Sequence, residues 1–551
     1  MRHGGQILID QLREEGCDTA FCVPGESYLA ALDGLHGQND IRTIVCRQEG
    51  GAAMMADAHG KITGRPGIAF VTRGPGATNA SIGVHIARQD STPMILFVGQ
   101  AARGMLGREA FQEVDFPAMF SPLAKWAAEI RDTDRIPEYV SRAVHTSMSG
   151  RPGPVVLSLP EDMLSASADV ATIPASPIAE AHPGEADMNA VADALKNAKR
   201  PVVLAGGPGW SQQVRDDLTD FAEAWKLPVA VMFRGQYSMD NRHPNYVGLA
   251  GIGIDPELGK RIQEADLILV LGPRLGEITT GGYTLLTPPV PNQKLIHANP
   301  GAEELNSVYR ADIAIVASLG SFTSRLGDLT PPASISWADE TAQARADYEA
   351  FSVPRETPGD VKFEQIVAHV SKALPDDSVI TNGAGNYSSF IHRYTQYKGY
   401  RSQVATTSGT MGYGLPAAIA AKLVGPERKV VCYAGDGCFL MNGQELSTAV
   451  RYELPIVIIV VDNGMYGTIR MHQERDYPGR VSGTELVNPD FAAYARSFGA
   501  NGETVLKTED FANVFDAALN ADKPTLIDLK VDPEAITPTT TLEKIRSAAL
   551  K

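Results

Sequence analysis

The chain has 551 residues, of which 44% are hydrophobic and 21% are charged, a composition typical of folded proteins with several domains. Its formal net charge of −16 argues against a surface for nucleic acids or anionic membranes. No long apolar leader precedes the helical pattern of Ile7, Leu8 and Leu12, and no stretch is apolar enough to cross a bilayer. We therefore expect a cytoplasmic protein without a membrane or nucleic-acid partner.

The cysteines also indicate a reducing compartment. They number five, show no CxxC spacing, and two of them fall in strand-like runs (Cys17, Cys22, Cys46, Cys432, Cys438). An odd number of such residues predicts buried thiols and argues against a structural zinc site.

Two segments, 166–188 and 328–360, turn to alanine, proline and charge and lose apolar periodicity, which predicts linkers. The blocks on either side alternate apolar strands with amphipathic stretches, as in parallel sheets wrapped by helices. We therefore predict an α/β protein with three doubly wound parallel-sheet domains. Their predicted bounds are 1–165, 188–328 and 360–551. The strands predicted in the outer blocks are 19–25, 41–46, 67–71, 94–98, 378–381, 430–434, 456–461 and 525–529.

Glu49 follows the strand predicted at 41–46 and precedes a helix-forming run. A carboxylate placed at a strand exit could be buried and hold a proton. A glutamate that caps the helix or offsets its dipole is the other interpretation.

In the middle block, the strand Pro201 to Leu204 is followed by a glycine-rich turn at 205–209. A strand, a glycine turn and a helix are typical of nucleotide-binding domains, but this turn alone is a weak signal.

The last block begins with a similar strand-to-helix turn, at Ala384, Gly385 and Asn386. A second glycine-rich turn, at 408–414, contains Gly409 and Met411 and enters an apolar helix. An isolated methionine in such a place is usually part of the core.

The segment 435–467 carries the most specific pattern. A Gly-Asp-Gly follows the strand predicted at 430–434, a crossover helix is predicted at 443–451, and a parallel strand at 455–461 ends on Asp462 and Asn463. Both strands end at the same edge of the sheet, so Asp436 and Asn463 should converge there. Their oxygens suit Mg²⁺ or Ca²⁺, and the flanking glycines expose N–H groups. The pattern predicts a magnesium and diphosphate site, against the alternative of a surface turn.

The spacing of 24 residues between the Gly-Asp-Gly and the Asp-Asn pair resembles the metal-diphosphate signature of thiamine diphosphate enzymes. The whole chain resembles the three-domain acetolactate synthase-like group, with pyrimidine-binding, middle and diphosphate-binding domains. The resemblance implies that Asp436, Asn463 and the backbone carbonyl of Met465 are the metal ligands. It implies cofactor contacts at Gly25, Asn79, Ala384, Gly385, Asn386, Gly409, Met411, Gly435, Gly437, Cys438 and Tyr466.

The resemblance also assigns roles in catalysis. Glu49, in a segment like the family's Glu-Gly-Ala-Ala, would hydrogen-bond the aminopyrimidine and so drive removal of the C2 proton. Met411 would bend the cofactor, and the Gly409 carbonyl would receive the amino group. Phe111 and Gln112 resemble the Phe-Gln pair of acetohydroxyacid synthases, where the amide lies near the reacting carbon. A solvent-exposed loop is the other interpretation of Gln112.

Two departures from the family pattern concern the substrate. Leu-Pro-Lys-Asp at the end of the first domain becomes Leu-Pro-Glu-Asp here, which places Glu161 where the family has lysine. His472 stands where the biosynthetic enzymes have a tryptophan, and could donate to a substrate oxygen or lie on a helix surface. The run 295–300 also lacks the acid that would hold the ribose of FAD, so FAD binding is doubtful.

These observations favour a thiamine diphosphate- and Mg²⁺-dependent carboligase that decarboxylates a 2-oxo acid and transfers the product to a second carbonyl, as acetolactate synthases do. A 2-oxo acid decarboxylase or carbon–carbon lyase is an alternative of the same class. A non-catalytic thiamine-binding regulator is an alternative of another class, since it would have little need of Glu49. The resemblance further implies a homodimer or homotetramer with active sites at the subunit interface.

Overall fold

A computed structural model describes residues 1–551, the whole chain. It divides into two compact units. The first unit comprises Met1–Ala179, Gly412–Pro426 and Leu440–Leu454, and the second comprises Glu180–Met411, Glu427–Phe439 and Pro455–Lys551. None of its helices is both long and apolar enough to span a bilayer.

The first unit is built on a six-stranded sheet in which every pairing is parallel. Its strand order is β3-β2-β4-β5-β7-β6, and the central strands are buried along their whole length because helices cover both faces. The strands are β1 (Arg2–His3), β2 (Thr19–Cys22), β3 (Arg42–Val45), β4 (Gly67–Val71), β5 (Met94–Gln100), β6 (Trp126–Glu129), β7 (Pro154–Pro160) and β8 (Ser167–Ala168), with β1 and β8 forming a separate antiparallel pair. The helices are α1 (Gly4–Glu14), α2 (Leu29–Leu35), α3 (Glu49–Thr63), α4 (Pro75–Asp90), α5 (Phe116–Phe120), α6 (Ile136–Met148) and α7 (Glu161–Ser165).

The second unit contains two further six-stranded parallel sheets. The middle sheet has the order β11-β10-β9-β12-β13-β14, which is the strand order of dinucleotide-binding folds. Its strands are β9 (Pro201–Ala205), β10 (Val229–Met232), β11 (Tyr246–Ala250), β12 (Leu267–Leu271), β13 (Lys294–Asn299) and β14 (Ile313–Val316). The accompanying helices are α8 (Glu185–Asn197), α9 (Gln212–Trp225), α10 (Pro256–Glu264), α11 (Leu319–Gly327) and α12 (Ala338–Phe351).

The last sheet has the order β16-β15-β17-β18-β20-β19. Counted from its own first strand, this order is the same as that of the first sheet, so the two outer domains share one topology. The strands are β15 (Val379–Asn382), β16 (Gln403–Ala405), β17 (Val430–Gly435), β18 (Val457–Asp462), β19 (Asn501–Val505) and β20 (Thr525–Lys530). The helices in this part of the chain are α13 (Phe363–Ala373), α14 (Tyr387–Tyr394), α15 (Gly414–Val424), α16 (Asp436–Phe439), α17 (Leu446–Arg451), α18 (Gly467–Asp476), α19 (Phe491–Ser497), α20 (Thr508–Leu519) and α21 (Leu542–Ala549), of which α15 and α17 belong to the first unit.

The predicted fold class, three parallel-sheet domains, is confirmed. The prediction of a linker over 328–360 is wrong, because helix α12 occupies 338–351. This helix is held by Trp337, whose indole N–H donates to the Trp225 carbonyl at 2.9 Å, and by the buried Tyr348. Thr341 and Arg345 also donate to backbone carbonyls of this domain, so the helix is docked with little apolar periodicity in its sequence.

The predicted cofactor contact Asn79 lies on helix α4, which begins at Pro75, where proline is favoured because the first turn of a helix has no partner for its N–H. Four strands of the outer sheets were not anticipated, namely β6, β7, β16 and β19. The edge strand β19 is largely exposed, and β16 has only three residues, so neither carries much apolar signal.

Candidate active site

A cavity of about 240 Å³ opens at the carboxyl ends of the strands in the last sheet. It lies where the strand order reverses, between β15 and β17, the position at which open α/β sheets bind ligands. Twelve residues that the sequence assigned to the cofactor line it: Ala384, Gly385, Asn386, Gly409, Met411, Gly435, Asp436, Gly437, Cys438, Asn463, Met465 and Tyr466. The structure therefore gathers the second-unit part of the predicted site around one cavity.

Asp436 is the first residue of α16, directly after β17, and its residue surface is only 3% exposed. Its Oδ1 accepts from the N–H of Gly437 at 2.8 Å, and its Oδ2 accepts from the N–H of Gly464 at 2.8 Å. The side-chain amide of Asn488 also donates to Oδ2, at 2.8 Å. Burial raises the pKa of this carboxyl, and the three donors oppose that rise. A cation beside it would likewise favour the ionised form.

The turn after β18 brings the second predicted ligand to Asp436. The Gly464 N–H that bonds Asp436 follows immediately after Asn463 in the chain. The Asn463 Oδ1 accepts from the Met465 N–H at 3.2 Å, and the Met465 carbonyl accepts from the Gly467 N–H at 2.9 Å. Carboxylate, amide and carbonyl oxygens are the donors that Mg²⁺ takes, so the residues present fit this metal.

Close packing explains one glycine of the Gly-Asp-Gly. A Cβ on Gly437 would lie 2.6 Å from a ring carbon of Tyr466, so a larger residue would push the tyrosine away from the cavity. Asn386 lines the opposite wall, and its amide is engaged by α18: it accepts from Thr468 at 2.9 Å and donates to the Met471 sulfur at 3.2 Å.

The remaining cavity residues are held by the core of the last domain. Gly409 has a φ of +65°, which glycine adopts without strain, and the half-buried Met411 packs against the hydrophobic cluster of this domain. Cys438 is buried beside the Tyr387 hydroxyl at 3.5 Å.

His472 does not line the cavity. It lies on α18, whose first turn supplies Gly467, Thr468 and Ile469 to the lining, and it is half-buried. Its Nδ1 is enclosed without a hydrogen-bond partner. The imidazole is therefore partly shielded from solvent, and its Nδ1 makes no hydrogen bond within the protein.

The first unit carries the other predicted residues. Glu49 is the first residue of α3 and is half-buried, and its Oε2 accepts from the Asn79 amide at 3.0 Å. Capping is done by the preceding residue, since the Gln48 side chain accepts from the Gly51 N–H at 2.9 Å. The Glu49 carboxylate is thus not consumed by the helix cap.

Gly25 and the Phe111–Gln112 pair lie at the carboxyl edge of the same sheet. A Cβ on Gly25 would come within 2.5 Å of the Thr72 side chain, so the chain needs glycine there. Gln112 adopts a φ of +61°, and a Cβ on Gly74 would lie 2.8 Å from the Gln112 Cβ. Phe111 is 71% exposed.

Glu445 is a residue that the sequence did not single out. Its residue surface is fully buried in the first unit, and one carboxylate oxygen accepts from the N–H groups of Arg47 and Gln48, each at 3.0 Å. The Thr448 hydroxyl donates to the other oxygen at 2.6 Å. Burial raises the pKa of Glu445, and these donors counter the rise. Glu445 therefore fixes the chain just before Glu49; the signal in the sequence was an acid at the start of the helix predicted at 443–451.

In the middle domain, the glycine-rich turn at 205–209 packs against the protein's own Met232 side chain. The Gly207 N–H donates to the Met232 sulfur at 2.9 Å, and a Cβ on Gly206 would lie 2.1 Å from the Met232 side chain. The turn also touches the end of β12, because a Cβ on Gly207 would lie 2.2 Å from the Gly272 carbonyl oxygen.

Comparison with known proteins agrees with this architecture. Three family models match the chain, described as the N-terminal TPP binding domain (residues 2–119), the central domain (188–326) and the C-terminal TPP binding domain (383–529) of thiamine pyrophosphate enzymes. The acetolactate synthase large subunit of Parasynechococcus marenigrum (strain WH8102) is 32% identical over 96% of this chain and 87% of its own length.

Two further relatives are similar along nearly their whole length. The acetolactate synthase isozyme 2 large subunit of Escherichia coli (strain K12) is 30% identical over 96% of both chains. The acetolactate synthase large subunit of Haemophilus influenzae is 31% identical over 96% of this chain and 94% of its own. The chain therefore belongs to the acetolactate synthase-like family of thiamine diphosphate-dependent enzymes.

Proposed function

We propose that this enzyme decarboxylates a 2-oxo acid, with pyruvate as the donor, and joins the resulting two-carbon unit to a second carbonyl compound. The observation that carries the proposal is the cavity at the end of the last sheet, which gathers the Gly-Asp-Gly, the Asp-Asn turn and Met411. The family membership supports the reaction type, and leaves the acceptor open. We also place the enzyme in the cytoplasm, in keeping with its five free cysteines.

In this proposal, Asp436, the Asn463 side chain and the Met465 carbonyl would hold Mg²⁺, and a metal there would neutralise the charge of the cofactor's diphosphate. Backbone N–H groups at the Gly-Asp-Gly and at Ala384–Asn386 would complete the diphosphate site. When bound, thiamine diphosphate supplies the electron sink that stabilises the carbanion left by decarboxylation.

Side chains of the protein would transfer protons and orient the substrate. Glu49, whose Oε2 accepts from the Asn79 amide at 3.0 Å, would hold a proton at its carboxylate and supply it to the aminopyrimidine of the bound cofactor. Gln112 orients substrate oxygens through its amide, and Met411 limits the space available to the cofactor. His472, with Nδ1 unpartnered, is the residue we assign to the acceptor side.

We further propose that the middle domain works without FAD, because its residues do not fit a dinucleotide. The N–H of Gly207 that a phosphate would need is taken by the Met232 sulfur, and β13 ends without an acid to hold a ribose. The polar groups there serve the fold instead: His297 bonds the Pro273 carbonyl at 3.0 Å and Asn299 bonds that of Gly272 at 2.8 Å. Heat-denatured enzyme should release no flavin fluorescence; stoichiometric flavin would contradict the proposal.

The division of the predicted residues between the two units bears on assembly. Glu49 belongs to the first unit and the diphosphate cavity to the second. We propose a homodimer or homotetramer in which the first domain of one subunit meets the last domain of another, as cyclic symmetry allows.

Product analysis tests the proposed reaction. The enzyme should be incubated with thiamine diphosphate, Mg²⁺ and pyruvate, with and without added aldehydes, and the products separated by chromatography. We expect a 2-hydroxy ketone when an aldehyde is the acceptor, or a 2-hydroxy-3-oxo acid when a second pyruvate is the acceptor. Release of free aldehyde alone would favour the decarboxylase alternative, and absence of any pyruvate turnover would favour a different donor.

A further inference from the structure

Arg73 is a buried cation at the point of the first sheet where the strand order reverses. It lies two residues after β4, and only 7% of its surface is exposed. Its backbone N–H donates to the Ser27 hydroxyl at 3.3 Å, which ties the exit of β4 to the segment after β2. A buried guanidinium is costly unless it is paired and hydrogen-bonded, so its partners indicate what it is for.

Two glutamates, one after β2 and one after β7, pair with Arg73. Its Nη2 donates to Glu26 Oε1 at 3.0 Å, and its Nη1 donates to Glu161 Oε2 at 3.1 Å. Charge-assisted bonds of this kind are roughly twice as strong as neutral ones, and the fork of arginine suits two carboxylates.

These pairs give a physical reason for the unusual acid at position 161. A lysine there, as in the Leu-Pro-Lys-Asp pattern, would bring a second cation within a few ångströms of Arg73 and leave Glu26 as the one carboxylate paired with the guanidinium. Glu161 removes that conflict. Its carboxylate is engaged with Arg73 and is not a free anion in the substrate pocket.

The remaining guanidinium donor of Arg73, Nε, binds the loop that carries Gln112. Its Nε donates to the Phe111 carbonyl at 3.1 Å, and its guanidinium lies 5.8 Å from the centre of the Phe111 ring. The next residue, Gln112, is held at a φ of +61°, a left-handed conformation that costs about 1 kcal/mol or more for a residue with a side chain. Such a conformation persists only where surrounding contacts enforce it.

Gly74, beside Arg73 in the chain, packs against Gln112, and the other hydrogen bonds cited for this loop do not fix Gln112 to the sheet. Glu113 accepts from the N–H groups of Gly107 and Ala110, at 2.6 and 2.8 Å, and so closes the loop on itself. Gln100 anchors the far end through the Val114 carbonyl at 2.8 Å. Between those points the Phe111 carbonyl is bonded to Arg73, directly beside Gln112.

We propose that Arg73, clamped by Glu26 and Glu161, is a positioning residue that holds the Phe111–Gln112 loop in the conformation used for carboligation. The inference rests on the proposed function for the role of Gln112 in the reaction, but the attachment of the loop to Arg73 can be tested separately.

The first test is hydrogen exchange of the purified holoenzyme, followed by mass spectrometry on peptides that cover 107–114. Replacing Arg73→Ala should speed exchange in these peptides by about tenfold, as expected for loss of a charge-assisted bond. Arg73→Lys keeps the charge for the two glutamates but lacks the Nε donor, so it should raise exchange in the same peptides. Arg135→Ala removes an exposed arginine paired with Glu138 in the same domain and should leave 107–114 unchanged.

The second test measures the fate of the donor. In Arg73→Lys, pyruvate consumption should change little, while the ratio of ligated product to free aldehyde should fall by about tenfold and the KM for the acceptor should rise. A change in pyruvate consumption equal to the loss of ligation would indicate a merely structural role and overturn the proposal.

The two tests separate the two hypotheses. Unchanged exchange at 107–114 in both variants would refute the attachment whatever the enzyme makes. Faster exchange in a protein whose wild type yields no ligated product would refute the proposed function and leave the attachment standing. If Arg73→Ala does not fold, Arg73→Lys and Glu161→Gln decide the question alone.

Discussion

At the scale of single residues, the geometry separates groups that line the cavity from groups that orient them. Asp436 and Asn463 reach the cavity themselves, whereas Asn488, Glu445 and Arg73 each hold another residue in place. The motif at 435–467 could be predicted from the sequence because its acid and amide residues lie at fixed offsets from two apolar strands. The orienting residues were not, because their partners lie far away in the chain.

Glu49→Gln should abolish proton exchange with the cofactor, while the affinity for thiamine diphosphate should remain the same. We expect kcat to fall by roughly 10² to 10⁴, the usual contribution of a general acid or base, with thiamine diphosphate affinity changed little. Steady-state kinetics with pyruvate and titration calorimetry with the cofactor would measure the two effects. Glu14→Gln, at an exposed site on α1, is the control and should behave as wild type. Full turnover in the Glu49 variant would remove this residue from the mechanism.

Asn488→Ala should weaken the metal site without removing a ligand. The Asn488 amide donates to both Asp436 Oδ2 and Asp462 Oδ1, each at 2.8 Å, and so holds two carboxylates side by side. Loss of a group that orients a metal ligand commonly costs 10- to 100-fold in metal affinity, so the Mg²⁺ concentration for half-maximal activity should rise by about that factor.

The matched control for this measurement is Asn520→Ala. Asn520 is an exposed asparagine whose amide bonds the Asp516 carbonyl at the end of α20. Equal Mg²⁺ dependence in the Asn488 and Asn520 variants would show that the bridge to Asp436 is unimportant.

At the scale of elements, the C-terminal helix α21 stabilises the helix that lines the cavity. Arg546 on α21 donates through Nε and Nη2 to the two oxygens of Glu474 on α18, both at 2.7 Å. The Gly479 N–H and Arg470 add further bonds to the same buried carboxylate. This docking was not readable in the sequence, because α18 has little apolar periodicity and a polar pair joins it to α21.

The bonds from Arg546, Gly479 and Arg470 lower the pKa of Glu474 from its ordinary value of 4.5 to about 2. A carboxyl whose folded-state pKa is depressed stabilises the protein above its unfolded-state pKa, and this stabilisation is lost as the pH falls toward the folded-state pKa. The ionised Glu474 therefore contributes to the stability of the folded protein at neutral pH.

Glu474→Gln should therefore lower the melting temperature at pH 7, and the difference from wild type should shrink as the pH is lowered below about 4.5. Differential scanning calorimetry across pH would measure it. The exposed Glu503→Gln on β19 provides the baseline and should show no pH-dependent difference. A gap between wild type and variant that stays constant down to pH of about 3 would contradict the assignment.

At the scale of the whole molecule, the three sheets differ in which predicted site residues they carry. The two outer sheets share one strand order and carry the predicted catalytic and cofactor residues at the same kind of position, the point where that order reverses. The middle sheet has the strand order of dinucleotide-binding folds, but Met232 occupies the glycine-rich turn after β9. Strand order alone therefore does not make a nucleotide-binding site.

Mixing two inactive variants should restore activity if active sites are shared between subunits. Glu49→Gln and Asp436→Ala each destroy a different half of the site. In a random mixture of dimers, half are mixed, and each mixed dimer has one intact site, so about a quarter of wild-type activity should return. Co-expression followed by activity assay would measure it, with each variant alone as the baseline. No recovery in verified mixed dimers would place Glu49 and Asp436 of one site on the same chain.

The fold class, the family and the meeting of the Gly-Asp-Gly with the Asp-Asn turn at one sheet edge could all be predicted from the sequence. These features follow from local patterns: apolar strands that end on glycines and acids, at spacings that a single βαβ unit fixes. Three features became visible only in the folded protein. Arg73 pairs with Glu161, and Glu445 binds the backbone just before Glu49. The segment 338–351 is a helix docked on the middle domain. Each depends on side chains that meet across large separations in the chain, where the pairing of a buried charge or an aromatic anchor is settled by packing and leaves no periodic trace in the sequence.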